Sequence, residues 1–261
     1  MSTAPFLVDT HCHLQMPAFE GDLEEVLQRA SSQGVDKIIV PGIDLDSSMR
    51  ALELAEKHEN ILAAAGIHPH EANSWNNTSA ARIAELAAHP EVVAVGEIGL
   101  DYFRNHAPRE AQLRAYHEQM DLAADLEMPV IIHNRDATQD VLARARQSGE
   151  HPAGVLHAFS AGAEAARQAV DEGFMIGIGG PITFKKSAVL RELVIEIGLD
   201  ALVLETDAPY MTPHPLRGKR NEPGFMRYTA EVLAESFDTT LDNVAKLTTR
   251  NAVNLFQLND E

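Results

Sequence analysis

Eight short, β-branched apolar runs recur along the chain, each followed by a stretch with helical spacing. The runs are FLVDTHCH (6–13), KIIVPGID (37–44), ILAAAGIHPH (61–70), VVAVGEIGLD (92–101), PVIIHNR (129–135), AGVLHAF (153–159), FMIGIGG (174–180) and ALVLETDAP (201–209). Most begin near-continuously apolar, as strands buried on both faces do. Helices are predicted over 22–33, 47–58, 78–89, 109–126, 137–147, 162–172, 186–197, 225–237 and 241–256. In the first, Leu23, Val26, Leu27 and Ala30 make one apolar stripe, and Gly34 stands where a C-cap glycine belongs. This alternation predicts a parallel (β/α)8 TIM barrel, an α/β fold. A doubly wound open sheet alternates similarly. With 261 residues and no linker tract, the chain reads as a single domain over 1–261.

The polar residues decide between the two folds. Runs one, three, four, five, six and eight end in His11 and His13, His68 and His70, Glu97 and Asp101, His133, His157, and Glu205 and Asp207. Barrel active sites form at the C-terminal ends of strands. These ends converge on one point only if the sheet closes. A lone strand-end histidine is more often a satisfied, partly buried imidazole, but the repetition at one end of so many strands favours ligation. His11 and His13 share a strand face and can grip one metal, while Cys12 points the other way as a small buried hydrophobe. Glu97, flanked by glycines, can hold two cations with its two oxygens. His133 and His157 can complete a second metal site. Asp207 can bind the first metal and touch the attacking water. Glu205 reads equally as support for a ligand or as an ordinary strand end. Imidazole with carboxylate suits Zn²⁺, Mn²⁺, Fe²⁺ or Co²⁺, whereas Mg²⁺ prefers oxygen donors.

Charge limits the partners. The formal net charge is −18, which argues against broad coating of duplex DNA. After the eighth run, however, Arg217, Lys219 and Arg220 stand against Glu222 in a proline-stiffened segment. A basic loop beside a metal centre suits a phosphate-bearing substrate, with Arg135 and Arg104 as further contributors. No apolar run is long enough for a membrane span. The N-terminal segment lacks the pattern of a signal peptide, so a cytoplasmic location is expected. Cys12, the single cysteine, leaves no internal disulfide, and no disulfide-linked partner is expected.

DTHCHL from residue 9, GIHPH, VGEIGLDY, VIIHNRDA, HAFSAG, ETDAPY and RGKRNEP resemble, in order, the signature segments of the TatD family of metal-dependent deoxyribonucleases in the amidohydrolase superfamily. The resemblance runs from residue 9 to residue 223. It implies a TIM barrel with two divalent metal ions (Mg, Mn or Zn) and 3′–5′ exonuclease action on single-stranded DNA ends, in some members RNA. It makes His11, His13, Glu97, His133, His157 and Asp207 metal ligands, with Glu97 bridging; in a two-metal mechanism Asp207 then accepts the proton of the attacking water as general base, or directs that water. It places His68 and the segment Arg217, Lys219, Arg220 and Asn221 near the scissile phosphate, and Arg135 joins this substrate-binding set. Ala158 and Ala161 stand where the family often has cysteine and glycine. Related barrels often carry a bridging lysine on strand four; here Glu97 takes that place. Two other readings remain. One is a metal-dependent hydrolase of a carbonyl substrate such as a lactone or amide. The other is a non-catalytic, metal-stabilised binding protein, against which an open water position argues.

Overall fold

The computed structural model describes residues 6–148 and 151–258. Eight parallel strands form one sheet in chain order: β1 (Leu7–Asp9), β2 (Val35–Pro41), β3 (Ile61–Ala65), β4 (Val92–Asp101), β5 (Val130–Arg135), β6 (Gly154–Leu156), β7 (Phe174–Ile178) and β8 (Leu202–Leu204). The helices are α1 (Leu23–Ser32), α2 (Leu45–Lys57), α3 (Asn77–Ala87), α4 (Arg109–Asp125), α5 (Thr138–Ser148), α6 (Ala163–Asp171), α7 (Ala188–Ile197), α8 (Met226–Ser236) and α9 (Leu241–Phe256). None of the described helices is long and apolar enough to cross a membrane.

The sheet closes into a (β/α)8 barrel through residues just beyond β1 and β8. Thr10 donates from N and Oγ1 to the Leu204 carbonyl at 3.0 and 2.9 Å. The Asp207 N–H donates to the His11 carbonyl, and the His13 N–H to the Ala208 carbonyl, each at 2.8 Å. Inside the ring every strand contributes one apolar residue: Val8, Ile39, Ala64, Ala94, Ile131, Val155, Met175 and Val203. Ala252, Leu255 and Phe256 of α9 pack on this plug and close one end. Outward-facing residues such as Ile38, Val95, Ile132 and Leu204 bury the helices' apolar stripes, including Val26, Leu27 and Ala30 of α1. Gln33 caps α1, and Gly34 follows at φ +83°, a left-handed turn that suits glycine.

Regular strand stops earlier than the apolar runs suggest. β1 ends at Asp9, β3 at Ala65, β6 at Leu156 and β8 at Leu204. His11, His13, His68, His157 and Asp207 therefore stand on the segments directly after strands. After β3, Pro69 has no N–H for a strand ladder and opens a short 3₁₀ turn over Pro69–Ser74.

Candidate metal centre and its cleft

Above the apolar plug the barrel interior turns polar, and strand periodicity explains half of this layer. Side chains two residues apart share a face. His133 thus follows Ile131 inward, His157 follows Val155, and Glu205 follows Val203. Gly177 follows Met175 without a side chain; a Cβ there would collide with Glu205 Oε2, so the glycine leaves room for that carboxylate.

The other half depends on irregularities. The chain bends at Thr10, so His11 and His13 turn inward although they lie an odd number of residues after Val8. Cys12, between them, packs in the outer core. On β4 the register shifts between Gly96 and Ile98, which pair with Ile131 and Ile132. Glu97 is the extra residue of this β-bulge, and the bulge re-aims its side chain. Asp207 is held at φ +53°, a left-handed conformation that aspartate tolerates better than most residues.

Glu97 is the hub of the cluster. Its Oε2 lies 3.3 Å from His11 Nε2 and 3.8 Å from His13 Nε2. Its Oε1 lies 2.9 Å from both His133 Nδ1 and His157 Nε2, and 3.5 Å from His68 Nε2. Asp207 Oδ1 is 3.5 Å from His13 Nε2 and 3.9 Å from His11 Nε2. Three donor sets among the described residues are each compact enough for one cation: His11, His157 and Asp207; His11, His13 and Glu97; His68, Glu97 and His133. The set fits a divalent metal on its own geometry. His11 and His13 bring Nε2 atoms within 3.2 Å of each other while the Nδ1 atoms of both are buried without a partner. A cation shared between the facing nitrogens satisfies such a pair, and mixed imidazole and carboxylate donors suit borderline metals.

The local field also favours positive charge. Burial pushes the Glu97 carboxyl up, but the charges of His157, His68 and His11 outweigh it and hold Glu97 well below the usual range. Burial pushes the His157 imidazole down, yet the Glu97 charge and a Glu205 contact carry it well above its ordinary value. His133 is likewise raised against burial by hydrogen bonds to Asp101 and Glu97. Burial wins at His11 and, more strongly, at His68, both of which are lowered. A site that draws protons onto two buried imidazoles presents a field that also favours a dication.

Three carboxylates stand behind the cluster. Asp101 Oδ2 meets His133 Nε2 at 3.1 Å and His70 Nε2 at 2.9 Å, while Oδ1 accepts the backbone N–H of Phe103 and Arg104. Buried Gln112 clamps the Asp101 backbone, accepting its N–H at 2.8 Å and donating to its carbonyl at 3.1 Å. Glu205 Oε1 accepts the Ala158 N–H at 2.6 Å and faces His157 Nδ1 at 3.8 Å, so Glu205 supports a histidine. Asp9 accepts Thr206 Oγ1 at 2.6 Å and Thr206 N at 2.9 Å, tying the end of β1 to the segment after β8. Burial pushes the Asp9 carboxyl up to about 8, against these bonds. The sequence reading gave no role to Asp9, Gln112 or Thr206. The one available signal was an aspartate inside the apolar run 6–9.

A cleft of about 930 Å³ opens above the cluster. His68, Arg104, Arg135 and Lys186 line it. Arg135 lies 4.1 Å over the Phe103 ring and Arg104 5.7 Å from the same ring. The basic segment after β8 does not line it. Arg220 is held by Asp22, with two contacts of 2.7 Å, and by the Ala18 carbonyl at 2.6 Å. Arg217 covers the Phe184 ring at 4.3 Å, and Lys219 is exposed. Asn221 is buried and donates to the carbonyls of Thr206 and Tyr210 at 2.9 and 2.7 Å, bracing the chain around Asp207. The segment expected to face phosphate braces the chain here, because Asp22, the N-cap of α1, engages its arginine. Lys186, from the β7–α7 connection, is a cleft cation that the sequence reading missed.

A two-faced carboxylate among converging imidazoles, at the C-terminal mouth of a (β/α)8 barrel, places the chain among metal-dependent hydrolases. The chain belongs to the TatD family: residues 8–257 match the family described as TatD related DNase. It is 44% identical over 254 residues to the uncharacterized metal-dependent hydrolase YabD of Bacillus subtilis, covering 97% of this chain and 100% of that one. It is 37% identical over 259 residues to a protein of Cronobacter turicensis named 3′-5′ ssDNA/RNA exonuclease TatD, covering 97% and 98%. The crystal structure of YjjV, a TatD homologue from Escherichia coli K12, superposes with a TM-score of 0.90 at 35% identity, covering 97% of this chain and 98% of that one.

Proposed function

We propose that the chain is a metal-dependent phosphodiesterase that shortens single-stranded DNA or RNA from an end, with the 3′–5′ polarity named for its Cronobacter relative. The observation that carries this reading is the pairing state of the cleft cations. Arg104, Arg135 and Lys186 line the cleft, and among the described residues none has a carboxylate partner, in a chain of net charge −18. Cations left uncompensated beside a metal cluster suit an anionic substrate. A neutral lactone or amide has no use for them.

Two divalent cations are proposed, one held by His11, His13, Glu97 and Asp207, the other by Glu97, His133 and His157. Cations bound there would supply Lewis acidity toward a phosphoryl oxygen and toward water. The protein's own groups do the rest. Burial pushes the Asp207 carboxyl up, but a His13 hydrogen bond and the charges of His11 and His157 hold it below its ordinary value. Asp207 is therefore ionised at neutral pH and can accept the proton of an attacking water at its carboxylate. Arg135 and Arg104 neutralise charge gathering on the phosphoryl oxygens. His68, lining the cleft and 3.5 Å from Glu97, faces the same space.

The test is incubation of purified protein with end-labelled single-stranded DNA, with and without chelator, beside a lactone panel. A ladder shortening from the 3′ end, lost with chelator, is expected. Intact DNA with lactone turnover overturns the reading.

A further inference from the structure

The cleft above the metal cluster has two chemically distinct arcs. Over β3 to β5 the lining is polar and charged: His68, His70, Arg104, His106 and Arg135 stand with Glu71 and Asp101. Over β6 and β7 apolar side chains dominate, Phe159, Ile178, Pro181, Val189, Leu190 and Leu193, with Lys186 and two serines among them. Tyr210 and Met211, after β8, continue that arc. The second arc is more than exposed core. Val189 is 70% exposed and Tyr210 53%, and Met211 is also exposed. These three are among the few large apolar side chains that the described surface leaves open, and all three line this one cleft.

Exposed apolar side chains gathered in one concavity mark a binding surface. Its occupant must reach the metal cluster and also present an apolar face to the β6–β8 side. It must bring an anion to the arginines next door. We propose that the apolar arc is a subsite for the nucleobase of the terminal nucleotide, with the phosphate backbone following the polar arc. This rests on the phosphodiesterase reading and refines it. Every nucleobase has an apolar face, so a wall of aliphatic carbon with Phe159 and Tyr210 takes any of them, and the preference is for an unpaired base over a particular sequence. A base seated there is unstacked from its neighbour, which selects frayed or single-stranded ends.

The test uses three end-labelled oligothymidylates: intact, with an abasic tetrahydrofuran unit at the 3′ end, and with the same unit at the 5′ end. The first cut of the wild-type protein should slow about tenfold when the abasic unit is at the attacked end and not when it is at the other, a typical effect for losing one stacked base. Val189→Ser alters an exposed residue and so leaves folding intact; with Leu190→Ser added, the rate ratio between intact and abasic ends should fall toward one. Equal first-cut rates on intact and abasic ends in the wild-type protein overturn the base subsite and leave the phosphodiesterase reading standing. No cleavage of the intact strand overturns that reading itself.

Discussion

Two arginine-bearing regions near the barrel mouth look alike in sequence and differ in the fold. In the segment after β8, Arg220 is forked onto Asp22 and has a further contact with the Ala18 carbonyl. After β4 and β5, Arg104 and Arg135 gather on Phe103, itself 56% exposed, and among the described residues no carboxylate side chain pairs with their guanidinium groups. Charge density along the chain picks out the first region. Freedom to meet an anion belongs to the second. In a chain this acidic, what matters is which cations remain uncompensated once α1 and the loops have packed.

Glu97→Ala sets the upper limit for reading that contrast. It removes the carboxylate that faces both histidine groups, so hydrolysis should fall by about three orders of magnitude or more and metal content should drop. Circular dichroism should stay native, because the apolar plug beneath is untouched. Unchanged turnover at saturating metal would show that Glu97 does not link the two groups. Next comes Asp101→Asn. Asp101 fixes His133 from behind, and removing such support typically costs about 10- to 100-fold in metal affinity. A competition titration with a chromogenic chelator reads this directly; unaltered affinity would leave Asp101 only its hold on the turn after β4.

Arg135→Ala and Arg220→Ala then set the two regions against each other. A charge-assisted contact to phosphate implies a rise in KM of about tenfold for Arg135→Ala on single-stranded DNA, at unchanged metal content. Arg220→Ala should change KM less than about threefold, while proteolysis of the 211–222 segment accelerates. The reverse order would place the phosphate on the loop after β8 and end the contrast.

The same contrast shows how far the sequence was readable. Barrel strands and helices followed from periodicity, since both faces of each strand are buried. His133, His157 and Glu205 read as strand ends, and strand periodicity accounts for them, because each lies two residues beyond an inward-facing residue. The inward turns of His11, His13 and Glu97 rest on a bend at Thr10 and a bulge at Glu97, which alternation alone does not disclose. The residue types raised all three as candidates, but their convergence needed the closed ring. What the sequence does not disclose is pairing over long separations: Asp22 with Arg220, and Asp101 with His133. Carboxylate and cation stand far apart along the chain, and composition is silent on which partners meet.

The smallest expected effect concerns acid. The Arg220 hydrogen bond holds the Asp22 carboxyl below its ordinary value of 3.8, with Arg29 adding to the pull. A carboxyl whose folded value is depressed contributes stability that is fully present above the unfolded value and is lost as pH falls through the folded one. The brace should therefore be intact at pH 5 and above and loosen only below about pH 4. The pair is well solvated, so the change is local and modest, and salt should weaken it further. Proteolysis of the 211–222 segment by an acid protease, compared between pH 3 and pH 5, reads it. The wild-type rate should rise at pH 3, whereas Asp22→Asn should already be fast at pH 5. An Asp22→Asn rate no faster than wild type at pH 5 would remove the ion pair as the reason this basic loop is unavailable to substrate.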